Sequence, residues 1–438
     1  MELSAIIEGT LKASFLHIAD VHLGNEQYGR KERAIDFAEA FHFALDYAVQ
    51  QRVDFVLVAG DLFERSTLDP VTFDQALSGL KRLAVAGIPL VAIAGNHDRA
   101  RYGQDIGWLE SLGRQGFLQY LDAVGQGGVR LTPWSFEEGS GGYLDFRGLR
   151  LVGFRYLGAA TARVVEELAE QLRALNGPAR PYTVVLLHGG LDGEVPHFRA
   201  ELTYEQLAPL KGVADYVALG HLHKHYIRDN WVYNPGSLET WNVGEVDWQR
   251  GFLHVRVDTS AEPKHTVRLI EPPRRPFLRY RLGVEPCHSP QELGQLVQRS
   301  AAEWAREARA ERPVVHLTLT GRLRFDRHDL ELGALEATVV EAFQPLVVQL
   351  RDQTDETDFQ PRAGGEDGSL DRAALELEVL RQIFGNDDRR VHQALGWARL
   401  AQSLKLGVIS KESPEELAAL VRREAQALLA EGGQNGQD

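Results

Sequence analysis

The chain has 438 residues, 44% of them hydrophobic and 25% charged, the balance of a soluble globular protein with room for two or three domains. Its formal net charge of −14 weighs against nonspecific nucleic-acid binding, although divalent metals would add positive charge that this count omits. A single cysteine, Cys287, rules out an intramolecular disulfide framework. The N-terminus carries Glu2 and Glu8 and no long apolar run, and no stretch approaches the roughly 18 apolar residues of a spanning helix. The expectation is a cytoplasmic protein that does not enter a membrane.

Residues 13–19 read as a short buried strand that ends at once in Asp20-Val-His22. A helical pattern follows from about 34 to 50, with Phe37, Phe41, Ala44, Leu45 and Ala48 along one face. The second strand, Asp54-Phe-Val-Leu-Val-Ala, runs into Gly60-Asp61. A helix from about 70 to 86 carries Phe73, Leu77, Leu80 and Leu83 and leads into a third strand, Leu90-Val-Ala-Ile-Ala, which ends in Gly95-Asn-His-Asp98. This β-α-β-α-β order implies a parallel sheet with helices on its faces.

A further helical stretch lies near 104–115, and 143–157 read as antiparallel strands about a Phe146-Arg-Gly148 turn. Two more buried strands, beginning at Tyr182 and Tyr216, end in His188-Gly-Gly and His221-Leu-His223. Strand-like segments around 231–233 and 252–257 bracket Asn234-Pro-Gly-Ser237. The proline cluster Glu271-Pro-Pro-Arg-Arg-Pro276 marks a hinge. Beyond it, strands at 277–284 and 314–321 enclose a helix opened by Ser289-Pro-Gln-Glu292, with an N-cap, a proline at the first helical position and a capping-box acid. The expected division is a large domain over 1–272, a small α+β domain over 276–350, a linker over 351–370 and a helical region over 371–431 with helices near 371–385, 389–405 and 414–430.

Taken together, five strand ends supply Asp20, His22, Asp61, Asn96, His97, His188, His221 and His223. One Asp after a strand is usually a turn residue or cap, and one buried His is usually structural. Five strands ending this way are harder to assign to chance, and a doubly wound sheet would bring those ends to one edge. Imidazole and carboxylate without thiolate suit a pair of divalent ions such as manganese, iron or zinc, with one carboxylate bridging. His17 lies within a strand and reads as core.

Asp-x-His, Gly-Asp, Gly-Asn-His-Asp, His-Gly-Gly and Gly-His-x-His, in this order, resemble the five motifs of calcineurin-like metallophosphoesterases. Within that superfamily the chain resembles the Mre-eleven/SbcD nucleases of DNA double-strand-break repair, through Leu16-His-Ile-Ala-Asp-Val-His-Leu-Gly24, Gln27-Tyr28, Glu32-Arg33, Ala59-Gly-Asp-Leu-Phe63, Ile93-Ala-Gly-Asn-His-Asp-Arg99 and Asn234-Pro-Gly-Ser-Leu-Glu239. The fold this implies is α/β, the metallophosphoesterase arrangement of β-sheets flanked by helices, with a small capping domain and a C-terminal helical tail. By the same resemblance one metal is held by Asp20, His22 and His223 and the other by Asn96, His188 and His221. Asp61 bridges them, and His97 is the catalytic histidine. The implied cofactor is a pair of divalent ions, manganese first among them. Asp98 would either orient His97 or cap a turn. Many family members place a histidine after Gly-Asp-x-Phe, and here that position is Glu64, so its role in handling the substrate strand does not carry over.

The function so implied is a metal-dependent DNA exo- and endonuclease working with an SbcC/Rad-fifty-type ATPase. Phosphomonoesterases and cyclic-nucleotide phosphodiesterases share the motifs but have no need of a domain at 276–350. In that domain Arg274, Arg275, Arg279 and Arg281 form a basic cluster suited to phosphate contacts, or else a solvated strand edge. A scaffold that has lost catalysis would have lost ligands, and here every position is filled. The resemblance also suggests a two-fold dimer through Phe73, Leu77, Leu109 and Leu112, unless these side chains simply cover the sheet. The C-terminal helices carry Leu377, Leu380 and Phe384, then Leu417 and Leu420, as faces that would dock on the ATPase coiled coil or close into a three-helix bundle.

Overall fold

The computed structural model describes residues 6–7, 10–100, 105–177, 180–355, 372–385 and 393–432. Two compact units are distinguished, Met1–Gly321 with His328–Thr354, and Arg322–Arg327 with Asp355–Asp438.

The larger unit begins with β1 (Thr10–Ile18), α1 (Lys31–Gln51), β2 (Phe55–Ala59), α2 (Pro70–Ala86), β3 (Leu90–Ile93), α3 (Trp108–Arg114), β4 (Gln119–Leu121) and β5 (Ser140–Gly141). It continues with β6 (Tyr143–Phe146), β7 (Leu149–Phe154), α4 (Thr161–Asn176), β8 (Tyr182–His188), β9 (Tyr216–Gly220), β10 (Tyr226–Arg228), β11 (Val232–Asn234), β12 (Phe252–Asp258) and β13 (His265–Ile270). These strands form two sheets instead of the single doubly wound sheet that the βαβ order suggested. One runs β13-β12-β1-β2-β3-β4-β5, and the other runs β10-β11-β9-β8-β7-β6.

The sheets stack face to face through Phe15, Phe55, Val91 and Ile93 on one side and Leu151, Val184, Leu186 and Tyr216 on the other. Each fully buried side chain of this size contributes roughly 2 kcal/mol to that contact. Helices α1, α2 and α3 cover the outer face of the first sheet, and α4 covers the second. β1, β2 and β3 are mutually parallel, as are β7, β8 and β9, so each sheet delivers its carboxyl ends to one edge.

His17 ties the two sheets directly beneath that edge. Its Nε2–H donates to the Leu219 carbonyl at 2.9 Å, and its Nδ1 accepts from the Tyr216 hydroxyl at 3.0 Å. It is the core histidine expected from its place within a strand.

Beyond β13 come β14 (Phe277–Gly283), α5 (Pro290–Ala308), β15 (Val314–Arg322), α6 (Leu332–Phe343) and β16 (Val347–Asp355), with the three strands in one sheet. Ser289 caps α5 as its sequence implied, accepting from the Glu292 amide at 3.2 Å. The proline segment before this domain is anchored instead of acting as a free hinge. Arg275 donates to both oxygens of Asp36 at 2.6 and 2.7 Å, and the same carboxylate pairs with buried Arg33 at 2.6 Å. The Arg33 guanidinium lies 4.9 Å over the Phe277 ring, and Tyr28 meets His316 Nε2 at 2.9 Å. The linker expected over 351–370 starts late, because β16 runs to Asp355; from 356 to 370 it lies outside the described residues.

The smaller unit holds α7 (Arg372–Gly385), α8 (Ala394–Ile409) and α9 (Pro414–Gly432). α8 packs against both of the others, and Phe384 meets Trp397 at 6.3 Å between ring centres. The helix expected from 389 begins at Ala394, with 389–392 outside the described residues. Ile383, Leu406, Val408 and Ile409 remain exposed.

Burial pushes His17 down to about 3, so the folded chain holds it neutral while the unfolded chain titrates near the ordinary histidine value of about 6.5. The stability this group lends is complete above pH 6.5 and is lost as pH falls towards 3, at about 1.4 kcal/mol per pH unit. Urea unfolding between pH 7 and 5 should therefore show a shallower acid slope for His17→Gln than for the wild type. Parallel slopes would mean that His17 takes up its proton without unfolding the chain.

Candidate metal centre

The candidate donors sit at the ends of buried strands or on the turns that leave them. Asp20, His22, Asp61 and His221 all adopt positive φ, at 52°, 53°, 54° and 88°. For side chains other than glycine this region costs of order 1–3 kcal/mol, and such strain concentrates at functional sites. The third turn leaves no space beside Asp61: a Cβ on Gly95 would lie 2.0 Å from Asp61 Oδ1, so only glycine fits.

Among the described residues, three donor groups have ligand atoms all within 4.8 Å of one another: Asp20, His22 and His223; His22, Asp61 and His97; and Asp61, His188 and His221. His22 Nε2 and His223 Nε2 face each other at 3.1 Å. Asn96 Oδ1 lies 3.1 Å from His188 Nε2 and 3.0 Å from His221 Nδ1. Asp61 belongs to two of the groups, with Oδ2 3.3 Å from His188 Nε2 and Oδ1 accepting from the His97 amide at 2.9 Å. Asp20 and Asp61 are 0% and 2% exposed.

Burial opposes charge on His188, but the Asp61 and Asp20 carboxylates outweigh it and push the ring up to about 10. Asp61 moves the opposite way, its burial overcome by His188. Such a pocket demands cationic charge. Nitrogen and oxygen donors without thiolate fit two divalent ions of the manganese, iron or zinc kind.

Behind the donors stands a ring of acceptors. His188 Nδ1–H donates to the Ala59 carbonyl at 2.8 Å. Glu201 Oε1 lies 2.9 Å from His221 Nε2, and Glu245 Oε1 lies 3.1 Å from His223 Nδ1. Glu245 in turn receives buried Arg250 at 3.0 Å. Acceptors of this kind fix a ligating ring's tautomer and orientation. Glu64 Oε2 approaches His22 Nδ1 to 2.9 Å as an ion-pair contact, although His22 Nδ1 lacks an aligned hydrogen bond. The same oxygen accepts from Trp241 Nε1 at 3.2 Å, and the Glu64 carbonyl accepts from His97 Nδ1 at 2.7 Å.

All eight residues read from the strand ends therefore meet at one edge. Asp98 does not touch His97 in any hydrogen bond; it staples the turns, accepting from Gly95, Phe63 and Leu62 amides at 2.9, 2.9 and 3.2 Å. The Asn234-Pro-Gly-Ser segment closes over the last motif. Asn234 Nδ2 donates to the Lys224 carbonyl at 2.8 Å, and a Cβ on Gly236 would strike the His223 carbonyl at 2.7 Å.

Other expected contacts change. Leu109 and Leu112 are core residues, 2% and 1% exposed, and offer no outward face; Phe73 and Leu77 are half-buried. Arg274 pairs with Glu271 and Arg275 with Asp36, so both serve the chain's own architecture; Arg279 pairs with Asp247, and Arg281 is exposed. In the helical unit Leu377, Leu380, Phe384, Leu417 and Leu420 are all half-buried. Glu201, Glu245, Arg250, Tyr156 and Trp241 escaped the sequence reading, since they sit in loops with no spacing relation to the histidines they serve.

Residues 13–225 match the family described as calcineurin-like phosphoesterase. The DNA double-strand break repair protein Mre11 of Archaeoglobus fulgidus is 34% identical over 244 residues, covering 53% of this chain and 51% of that protein. Its counterpart in Aeropyrum pernix is 32% identical over 279 residues, covering 62% and 63% respectively. The metallophosphoesterase YhaO of Bacillus subtilis is 28% identical over 258 residues, covering 56% and 57%. The chain thus spans between about half and two thirds of the length of these curated relatives.

Removing the Asp98 carboxylate leaves three buried amides without an acceptor, at roughly 1 kcal/mol or more each. Asp98→Ala should lose about 3 kcal/mol in denaturant unfolding and bind metal more weakly. A variant with wild-type metal content and stability would show that the turns hold without the staple.

Proposed function

We propose that this chain, whose residues 13–225 match the calcineurin-like phosphoesterase family and which is similar to the Mre11 proteins of Archaeoglobus fulgidus and Aeropyrum pernix, hydrolyses phosphodiester bonds in DNA, at ends and within single strands, as a two-metal nuclease of double-strand-break repair. The observation that carries this reading is the chain of three overlapping donor groups, linked through His22 and Asp61, with His97 in the middle one. Asp20, His22 and His223 would hold one ion, Asn96, His188 and His221 the other, and Asp61 both. Two such ions supply Lewis-acid polarisation of a phosphoryl oxygen and activation of water. His97 donates its Nδ1–H to the Glu64 carbonyl, which leaves Nε2 to face the phosphate, where the imidazolium form would stabilise or protonate the leaving oxygen. We take manganese as the working metal from the nitrogen and oxygen donors.

The small domain supports a polymeric substrate over a small phosphoester. Arg279 lies on one side of His316 and Arg351 on the other, close enough for both charges to depress that histidine, which burial already pushes down to about 4. Arg281 lies two residues along the same strand as Arg279, on the same side of it. The Arg279–Asp247 pair is exposed and worth little against a phosphate. Arg279, Arg281 and Arg351 therefore replace Arg274 and Arg275 as the DNA contacts we propose. For a homodimer, the face left is that of Phe73 and Leu77 with exposed Val71. For the SbcC/Rad-fifty-type ATPase partner, the exposed apolar side chains of α7 and α8 are the docking surface. We place this work in the cytoplasm.

Incubation of the purified protein with end-labelled single- and double-stranded DNA, with manganese and with chelator, tests the reading. Asp61→Ala should abolish cleavage and lower metal content, and His97→Ala should lose about a hundredfold or more in rate with both metals retained. Cleavage that survives chelation, or a His97→Ala protein without metal, contradicts it.

The tail gives a separate expectation. A chain ending at Asp355 should keep manganese-dependent cleavage of single-stranded DNA and no longer co-elute with the ATPase. Co-elution at undiminished affinity would move the docking site elsewhere.

A further inference from the structure

One exposed aromatic stands beside the metal donors without a part in holding them. Phe198 is 44% exposed, and its ring centre lies 6.4 Å from that of His221. Single exposed apolar side chains are common on protein surfaces and by themselves mean nothing. The setting of this one is different.

It sits at the tip of an excursion that leaves β8 after His188 and returns before β9. The stem is fixed: Leu191 and Leu202 are bridged, with the Asp192 amide donating to the Leu202 carbonyl at 2.7 Å and the Leu202 amide donating to Gly190 at 3.2 Å. Lys224 donates to the Glu194 carbonyl at 2.7 Å, and Arg228 pairs with the Glu194 side chain at 2.5 Å. Glu201, on the returning arm, holds His221. The tip is therefore rigidly referred to a metal ligand, and its exposed sequence is His197-Phe198-Arg199.

A second aromatic ring also meets His221. Tyr156 stacks on it at 5.5 Å and 30°, with its hydroxyl donating to Glu201 at 3.0 Å and the Arg99 guanidinium 4.9 Å over its ring. Tyr156 is thus committed to positioning the ligand, whereas the Phe198 ring faces solvent.

We propose that Phe198 is a stacking platform for a nucleobase, that of the nucleotide whose phosphate lies at the metal donors, with Arg199 set for the adjoining phosphate. A phosphate held beside His221 carries its base one sugar away, within reach of a ring so close to the imidazole. Stacking on an aromatic is tolerant of sequence because every base has a π face, and it is worth enough to be measured for one base. This inference rests on the reading of the site as a DNA phosphodiesterase and adds what that site grips.

The test compares the full-length protein, Phe198→Ala and Phe198→Tyr on two manganese-dependent substrates. These are a single-stranded oligonucleotide and the same oligonucleotide with tetrahydrofuran abasic residues at the cleaved positions. The wild type should prefer the base-bearing strand roughly tenfold in kcat/KM, mostly through KM. Phe198→Ala should bring that ratio close to one, and Phe198→Tyr should restore it.

A binding measurement without turnover accompanies it. An oligonucleotide ending in 2-aminopurine should be quenched by the wild type and by Phe198→Tyr, and not by Phe198→Ala. A Phe198→Ala protein that keeps the wild-type ratio, or that cleaves the abasic strand more slowly than the wild type does, overturns the platform. If the wild type cleaves neither oligonucleotide yet hydrolyses bis-p-nitrophenyl phosphate, the DNA reading has failed and the platform falls with it.

Discussion

Two carboxylates buried side by side govern this structure. Asp20 and Asp61 are almost wholly withdrawn from water at one sheet edge, where like charges are expensive unless cations answer them. Every other feature of the centre follows from that demand. His188 lies 3.3 Å from Asp61 and 4.0 Å from Asp20, and its ring is driven towards the protonated form. A divalent ion supplies the same compensation with geometry attached, which is why imidazole nitrogens converge on the carboxylates. The strained backbone of four ligands is held by the same means, since the turns have no slack once the two sheets are stacked.

Rigidity then passes outward from donor to acceptor. His223 is oriented by Glu245, Glu245 by buried Arg250, and Arg250 also reaches Ser237 at 3.1 Å in the segment that closes the last motif. Glu64 fits this scheme. An acid beside the phosphodiester proposed as substrate looks misplaced in the sequence. Here its carboxylate is turned against His22 and Trp241, and its main chain alone addresses His97. The charge is directed at the candidate donors, where it would help to hold cations.

The strand ends were legible because a buried parallel strand has a simple signature, a short run of β-branched and aliphatic residues broken by glycine and polar groups. Hence the eight polar positions that converge at the sheet edge could be read, and so could the Ser289 cap. The pairing of strands into two sheets was not legible. Nothing local distinguishes β1 to β3 from β7 to β9, and only their contact through residues such as Phe15 and Tyr216 separates them. Leu109 and Leu112 show the same limit, since an apolar helical stripe looks alike whether it covers a sheet or a partner. Arg275 marks a third: its spacing resembles a phosphate contact, and its partner, Asp36, is more than two hundred residues away.

A net charge of −14 is at odds with the polyanionic substrate proposed, and the resolution lies in where charge is placed. A diffuse positive field would bind any duplex anywhere, with affinity that collapses as salt rises. This chain pairs many of its arginines internally, as Arg33, Arg250 and Arg275 show. What the proposed nuclease has left for DNA is local: divalent ions on one phosphate, a few cations of the small domain, and the exposed ring of Phe198 near the site. Grip of that kind is short in range and falls on the nucleotide being cut. For the nuclease proposed, holding the rest of the duplex would fall to a second copy or a partner, for which the exposed apolar side chains of α2, α7 and α8 are available.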